Sequence, residues 1–282
     1  MLALKHFKCI KKVFNYICDM TGRKKFVYNE AVEAIAKKAR VATTNEELAD
    51  VCEQLNVADE VFLGKVDFWL AKSALSTVYR TLKKYPLLRE DIHYFGTLNG
   101  FIKSKEALFK RLNPSVSDVI VKMIQQSSDE VARSCLAAFR SDGLALAFVV
   151  AAGNCRLSGI IINGKSMAQK DVLQNLKYGE QSGHSPKGCN SIKSVIEHEI
   201  GHLLDLKLGI SDSFEFKRIM SAYDAPYIYS NLSHYAASGN TIREPEVVAE
   251  AYSEYCNNPA PREIALRVGR LIDQKYKSNA FF

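Results

Sequence analysis

The sequence has no run of about 18 apolar residues, the minimum that a membrane-spanning helix requires. Its most apolar stretch ends at Gly153 after starting at Gly143 and is too short for that role. Glycine and proline are ordinary, at 15 and 7 in 282 residues, and no internal repeat is visible, which excludes collagen-like and low-complexity classes. Cysteine is sparse and badly spaced for pairing: Cys9, Cys18, Cys52, Cys135, Cys155, Cys189 and Cys256 are odd in number and form no CxxC. That pattern excludes a disulfide framework and a cysteine-type zinc site, and it reads as reduced thiols of a cytosolic fold. A basic folded body is also lacking. Of the net charge of +7, residues 1–25 carry +6, from Lys5, Lys8, Lys11, Lys12, Arg23, Lys24 and Lys25 against Asp19. The remainder is nearly neutral, so nucleic-acid binding is disfavoured as the main function, because it needs a basic face on the folded domain.

What is present suits a soluble folded protein, with 47% hydrophobic and 24% charged residues. Residues 1–25 read as a basic amphipathic helix with Leu2, Phe7, Ile10, Val13, Phe14 and Ile17 near one face. Two readings stand: an arm that contacts an anionic partner, or an ordinary first helix with solvated lysines. Lys8, Lys11 and Lys12 interrupt any signal-peptide apolar region, so no cleaved leader is expected. From Asn45 to about Gln126 the pattern is helical. One helix holds Leu48, Val51, Cys52 and Leu55, a second runs from Val66 to Lys84 and stops before Pro86, and a third starts at Asn113-Pro114-Ser115. Ala145–Ala152 and Leu157–Asn163 read as strands. Lys177–Asn190 reads as a polar loop, and Asn190 or Ser191 caps a helix that ends at Gly209. Further helices are expected from Pro245 to about Cys256 and from Pro261 to about Tyr276. The expected division is 1–40 as the basic arm, 41–142 as a helical region and 143–282 as an α+β domain.

Inside the Ser191 helix the sequence His198-Glu199-Ile200-Gly201-His202 is an HExxH motif. With only 6 His in the chain, chance supplies fewer than about 0.01 such matches. Residues four apart share one helix face, so His198 and His202 can present two imidazole nitrogens to one Zn²⁺. Glu199 lies beside the pair, placed to take a proton from metal-activated water. A third ligand is required. Leu206–Gly209 lacks the Gly and His of an extended HExxHxxGxxH motif, and acidic Glu244-Pro245-Glu246-Val247-Val248-Ala249-Glu250 offers the better source. Proline suits the first turn of that helix. Glu246 and Glu250 share a face, so one can bind the metal while the other accepts the second ring N–H of a ligating histidine. Spacing alone does not rank them. A second site from His184 and Cys189 is not expected, since two residues do not close a zinc site.

HEIGHLLD at 198–205, with Tyr235 and REPEVVAEAY at 243–252, resembles the catalytic domain family of anthrax lethal factor. It is more similar still to the zincin-type domains of bacteriophage head-morphogenesis (minor head) proteins. The resemblance covers roughly residues 144–276, and KKYPLLREDI at 83–92 is similar to the segment upstream of such phage domains. It implies a gluzincin: a zincin-like domain with a small sheet and edge strand, an HExxH helix and a Glu helix, behind a helical region. It further implies Zn²⁺ held by His198, His202 and Glu246, Glu199 as general base, and Glu250 outside the ligands. Tyr235 falls near the family tyrosine that donates to the oxyanion or the metal. The 11-residue step from Tyr235 to Glu246 is longer than in lethal factor, which leaves His234 and Tyr229 as alternatives. Asp205 is expected to orient a neighbour or an adjacent loop.

The expected function is therefore a zinc metalloendopeptidase acting on a protein or peptide. Leu157–Asn163 would be the edge strand on which an extended substrate pairs, although Ile160, Ile161 and Ile162 would also suit a plain interior strand. The alternatives are a phage structural or assembly protein that uses the zincin domain as a scaffold, with head components as partners, and a toxin-like effector protease. The expected setting is the bacterial cytoplasm or the phage virion.

Overall fold

The computed structural model describes residues 30–103, 126, 129–137, 139, 143–152 and 155–280. The basic arm before Glu30 and the helix expected after Pro114 lie outside the described residues. The fold is mixed α+β, and the chain divides into two compact units, each built from two stretches. Among the described residues no helix is long and apolar enough to cross a membrane.

The first unit takes residues up to Phe68 and Arg89–Ser166. It holds a four-stranded sheet of β1 (Glu60–Phe62), β2 (Tyr94–Thr97), β3 (Ala145–Ala152) and β4 (Cys155–Ile162), in the order β1-β2-β4-β3. The strands at Ala145 and in the LSGIII segment are where the apolar, β-branched runs placed them. β1 and β2 arise inside the stretch whose pattern read as helical. They are only three and four residues long, too short to show a period of two.

The expectation of an edge strand at Leu157–Asn163 is corrected here. β4 lies inside the sheet, parallel to β2 with Tyr94 opposite Gly159, and antiparallel to β3 with Ala145 opposite Ile162. Its backbone is engaged on both sides and cannot accept an added peptide strand. The physical reason is legible in the triplet Ile160, Ile161 and Ile162, all fully buried. A strand covered on both faces reads as continuously apolar, as interior strands do.

Two further features hold this unit. Tyr94, Phe101, Val131, Cys135, Phe148 and Ile161 form one apolar cluster, in which Phe101 meets Tyr94 and Phe148 edge-on. Arg89 is buried whole at 1% exposure. Its guanidinium donates to Asp59 Oδ1 (2.5 Å), to the Asn56 carbonyl (2.6 Å) and side chain, and to the Ile92 carbonyl (2.8 Å). Each of the three guanidinium nitrogens has an acceptor, which is the condition for tolerating a buried charge.

The second unit takes Trp69–Leu88 and the chain from Met167 onward. It is helical apart from a small hairpin, β5 (Ala237–Ser238) with β6 (Thr241–Ile242). Its helices are the body of Phe68–Lys84, then Val172–Gln181, Ile192–Leu208, Phe214–Met220, Ala225–Asn231, Glu244–Asn257 and Glu263–Ala280. The Val172–Gln181 helix takes up the first part of the segment expected as a loop. Its Glu180 then organises the rest, accepting from Gly188 N and from Asn190 Nδ2, each at 2.6 Å. The turn after Lys84 is tied to the last helix: Leu87 N donates to Tyr276 Oη at 2.7 Å, and Tyr85 and Lys84 both bond Asp273. Glu254, fully buried, is answered by the guanidinium and the backbone N–H of Arg262 and by Asn258.

Candidate metal centre

The helix Ile192–Leu208 starts where its chemistry says it should. Ser191 is the N-cap, its Oγ accepting from Ser194 N, while Ser194 Oγ accepts from Ser191 N, a reciprocal box that satisfies two orphan donors. The helix ends at Gly209 in the left-handed conformation, φ 59°, which glycine adopts without a Cβ penalty. Asp205 serves this end: its Oδ1 accepts from Ser211 N at 2.6 Å, fixing the loop that follows. Ile196, Ile200, Leu203 and Leu204 are fully buried, which anchors one side of the helix and sets the rotation of His198 and His202 on it.

Against this helix packs Glu244–Asn257, with Pro245 in its first turn. The crossing is close because Gly201 has no side chain. A Cβ built there would lie 2.7 Å from the Ala249 Cα, a backbone atom that cannot swing aside. Ser253 Oγ adds a bond to the Ser194 carbonyl at 2.8 Å. Ala249 lies between Glu246 and Glu250 in sequence, one residue before the latter, so the contact that closes on Gly201 also brings both glutamates to the histidines.

The result is a triangle of donor atoms. His198 Nε2 and His202 Nε2 are 3.2 Å apart, and Glu246 Oε2 lies 3.5 Å from the first and 3.4 Å from the second. An ion held tetrahedrally by N and O donors at about 2.0–2.1 Å needs them roughly 3.3 Å apart. These edges match. Glu246 Oε2 is moreover buried without a hydrogen-bond partner, an arrangement that a bound cation would satisfy. Among the described residues, His198, His202 and Glu246 are the group of metal-ligating side chains close enough to share an ion. The donor set therefore fits a divalent metal.

The remaining residues fall around this triangle. Glu250 Oε2 lies 3.6 Å from His198 Nδ1, on the ring nitrogen that faces away from Glu246. Glu199 is buried, one residue along the helix from His198. The Tyr235 ring is 6.1 Å from the His198 ring and remains 37% exposed. The hairpin takes up the long step between Tyr235 and Glu246: Tyr235 stands just before β5 and Arg243 just after β6, and Arg243 N donates to the Ala236 carbonyl at 3.0 Å. His234 and Tyr229 stack on each other at 3.9 Å instead of joining this group. His184 packs near Tyr235 at 5.7 Å, while buried Cys189 turns to Ser253 Oγ at 3.2 Å, so these two share no site.

Electrostatics follow from this packing. Burial disfavours a charged His198, but the carboxylates of Glu250 and Glu246 outweigh it and hold the imidazolium well above the ordinary histidine value. Burial likewise opposes ionisation of Glu246, and the His198 and His202 imidazoles beside it overcome that, so this carboxyl lies far below its usual range. The Tyr235 phenol is pushed up by burial and by the Glu246 and Glu199 carboxylates, against the Arg243 guanidinium. Tyr235 thus stays a proton donor. That guanidinium sits 4.9 Å over the Tyr235 ring, a contact with no signal in the sequence, since hairpin pairing alone brings residues 235 and 243 together.

The Gly201 crossing has a direct consequence. Gly201→Val is expected to cost about 1–3 kcal/mol by overpacking against the Ala249 backbone, and to weaken metal uptake by separating Glu246 from the histidines. Thermal unfolding and metal titration check both; an unchanged midpoint with unchanged affinity would refute the role of the close crossing.

Comparison with profiles of protein families, with curated proteins and with solved structures finds no match.

Proposed function

We propose that this protein is a zinc-dependent endopeptidase of the gluzincin kind, with His198, His202 and Glu246 as ligands and a zincin-like arrangement of the two helices that carry them. The observation that carries the reading is the donor triangle with its buried, unpartnered Glu246 Oε2. Two imidazoles and one carboxylate are the ligand set of catalytic zinc in peptidases, which leaves one position open for water or substrate.

Bound there, zinc supplies a water whose pKa is lowered to about 7 and a Lewis acid for the scissile carbonyl. The chain's own groups do the rest. Glu250, 3.6 Å from His198 Nδ1, is placed to take its N–H when the ring seats on the metal, which would fix the tautomer and leave the Nε2 lone pair facing the centre. Glu199 takes the proton of the attacking water on its carboxylate and passes it to the departing amine nitrogen. Tyr235, kept protonated, donates its O–H to the oxyanion that develops on the carbonyl oxygen. The phage-head setting rests on the motif resemblance alone, and no structural observation favours the scaffold or effector alternatives over hydrolysis.

Zinc titration tests the metal half of this proposal. One zinc per chain is expected, with proton release, because His198 must be neutral to ligate while its carboxylate neighbours favour the charged form. The sign follows: affinity is highest above the raised His198 pKa and falls as pH drops through it. Glu246 contributes no such proton, being ionised throughout that range. Calorimetry in buffers of different ionisation enthalpy reads the protons; no uptake at any pH from 6 to 9 would refute the centre.

A further inference from the structure

A cleft of about 410 Å³ has a lining that includes Gly183, Lys187, Tyr229, Leu232, His234 and Arg262. None of these residues has a part in the chemistry described above. Two of them are chain neighbours of His184 and Tyr235, and Tyr235 lies near His198. Gly183 precedes His184, His234 precedes Tyr235, and the His184 and Tyr235 rings lie 5.7 Å apart with Tyr235 next to His198. The backbone at these positions is joined directly, His234 N donating to the Gly183 carbonyl at 2.8 Å. The same two stretches of chain therefore line the cleft at Gly183 and His234 and set Tyr235, one residue on, near His198.

The cleft has an aromatic component built in. Tyr229 and His234 stack at 3.9 Å and only 8° from parallel, and Tyr229 is 42% exposed. Glycine is required opposite them: Gly183 has φ +77°, and a Cβ there would meet His234 Nε2 at 2.9 Å. Any side chain at 183 would displace the His234 ring from its stack. Around the stack the lining is polar but not strongly charged of one sign. Arg262 is already neutralised by buried Glu254, and Glu180 is engaged by Gly188 and Asn190. A site with a flat aromatic component, room for a large side chain and polar groups around it suits an aromatic ring, with or without a hydroxyl.

We propose that this cleft is the specificity pocket of the centre and takes an aromatic side chain of a peptide whose scissile bond lies at the metal. The inference rests on the endopeptidase reading and names its substrate class. The link between cleft and centre is the chain itself, since His234 of the lining is followed directly by Tyr235.

The test uses peptide hydroxamates, which anchor on a zinc centre and carry a side chain into the neighbouring pocket without needing turnover. Binding of a phenylalanine hydroxamate and of its alanine counterpart to the zinc-loaded full chain is measured by calorimetry. The aromatic compound should bind roughly 5- to 10-fold more tightly. Tyr229→Ala should erase most of that preference while leaving the alanine compound's affinity unchanged, and Tyr229→Phe should keep it. Equal binding of the two hydroxamates, or a preference untouched by Tyr229→Ala, would overturn the pocket and leave the metal centre standing. Failure of both compounds to bind zinc-loaded protein would overturn the centre and the pocket together.

Discussion

Glu246→Ala is expected to abolish tight zinc binding, whereas Glu250→Ala is expected to keep the metal with roughly 10–100-fold weaker affinity, about 1.4–2.8 kcal/mol. The two glutamates are one turn apart on one helix, and both touch His198, but they touch different atoms. Glu246 Oε2 stands 3.5 and 3.4 Å from the Nε2 atoms of His198 and His202, the same nitrogens that face each other at 3.2 Å. Glu250 faces His198 Nδ1, which points away from that triangle. Removing Glu246 leaves two imidazoles and no carboxylate among the three donors. Removing Glu250 leaves all three donors and loosens only the orientation of one ring. Competition with a chelating dye reads both affinities. If Glu250→Ala loses the metal and Glu246→Ala retains it, the ligand assignment is one turn off.

Glu199→Gln is expected to lower peptide hydrolysis by roughly 10²–10⁴-fold while zinc content and thermal stability stay as in the parent protein. Glutamine keeps the shape and one acceptor but cannot take a proton at neutral pH. Glu199 is buried on the HExxH helix between His198 and His202 and is not one of the three donors, so its loss leaves the donor triangle intact. Cleavage of a peptide library followed by mass spectrometry supplies the substrate for the comparison. Turnover by the variant equal to that of the parent would remove Glu199 from the reaction; loss of zinc from the variant would show that it acts on the site's structure instead.

Much of the site was written locally, and those parts were readable. HExxH on a helix puts two histidines on one face whatever surrounds them. Ser191 and Gly209 bound that helix because capping is a matter of a few adjacent residues, and Pro245 marks the start of the glutamate helix for the same reason. The apolar runs at 145–152 and in LSGIII declared strands, yet their place in the sheet did not follow. A triplet of isoleucines suits an interior strand as well as an edge, and only pairing with β2 on one side and β3 on the other settles it. β1 and β2 were hidden because strands of three and four residues leave no periodic trace.

By itself, then, the sequence determined which residues could ligate a metal and which helices carry them, since a helix repeats its geometry from residue to residue. Only the tertiary structure decided which glutamate faces which nitrogen, through the Gly201–Ala249 crossing that sets the two helices against each other. It also decided that Tyr235, and neither His234 nor Tyr229, stands beside His198, because a two-strand hairpin folds residues 235 and 243 together. Buried Arg89 owes its partners Asn56 and Asp59 to the same kind of cause. Contacts between residues far apart in the chain depend on how whole elements pack, and that information is spread over every apolar surface they bury rather than held at any one position.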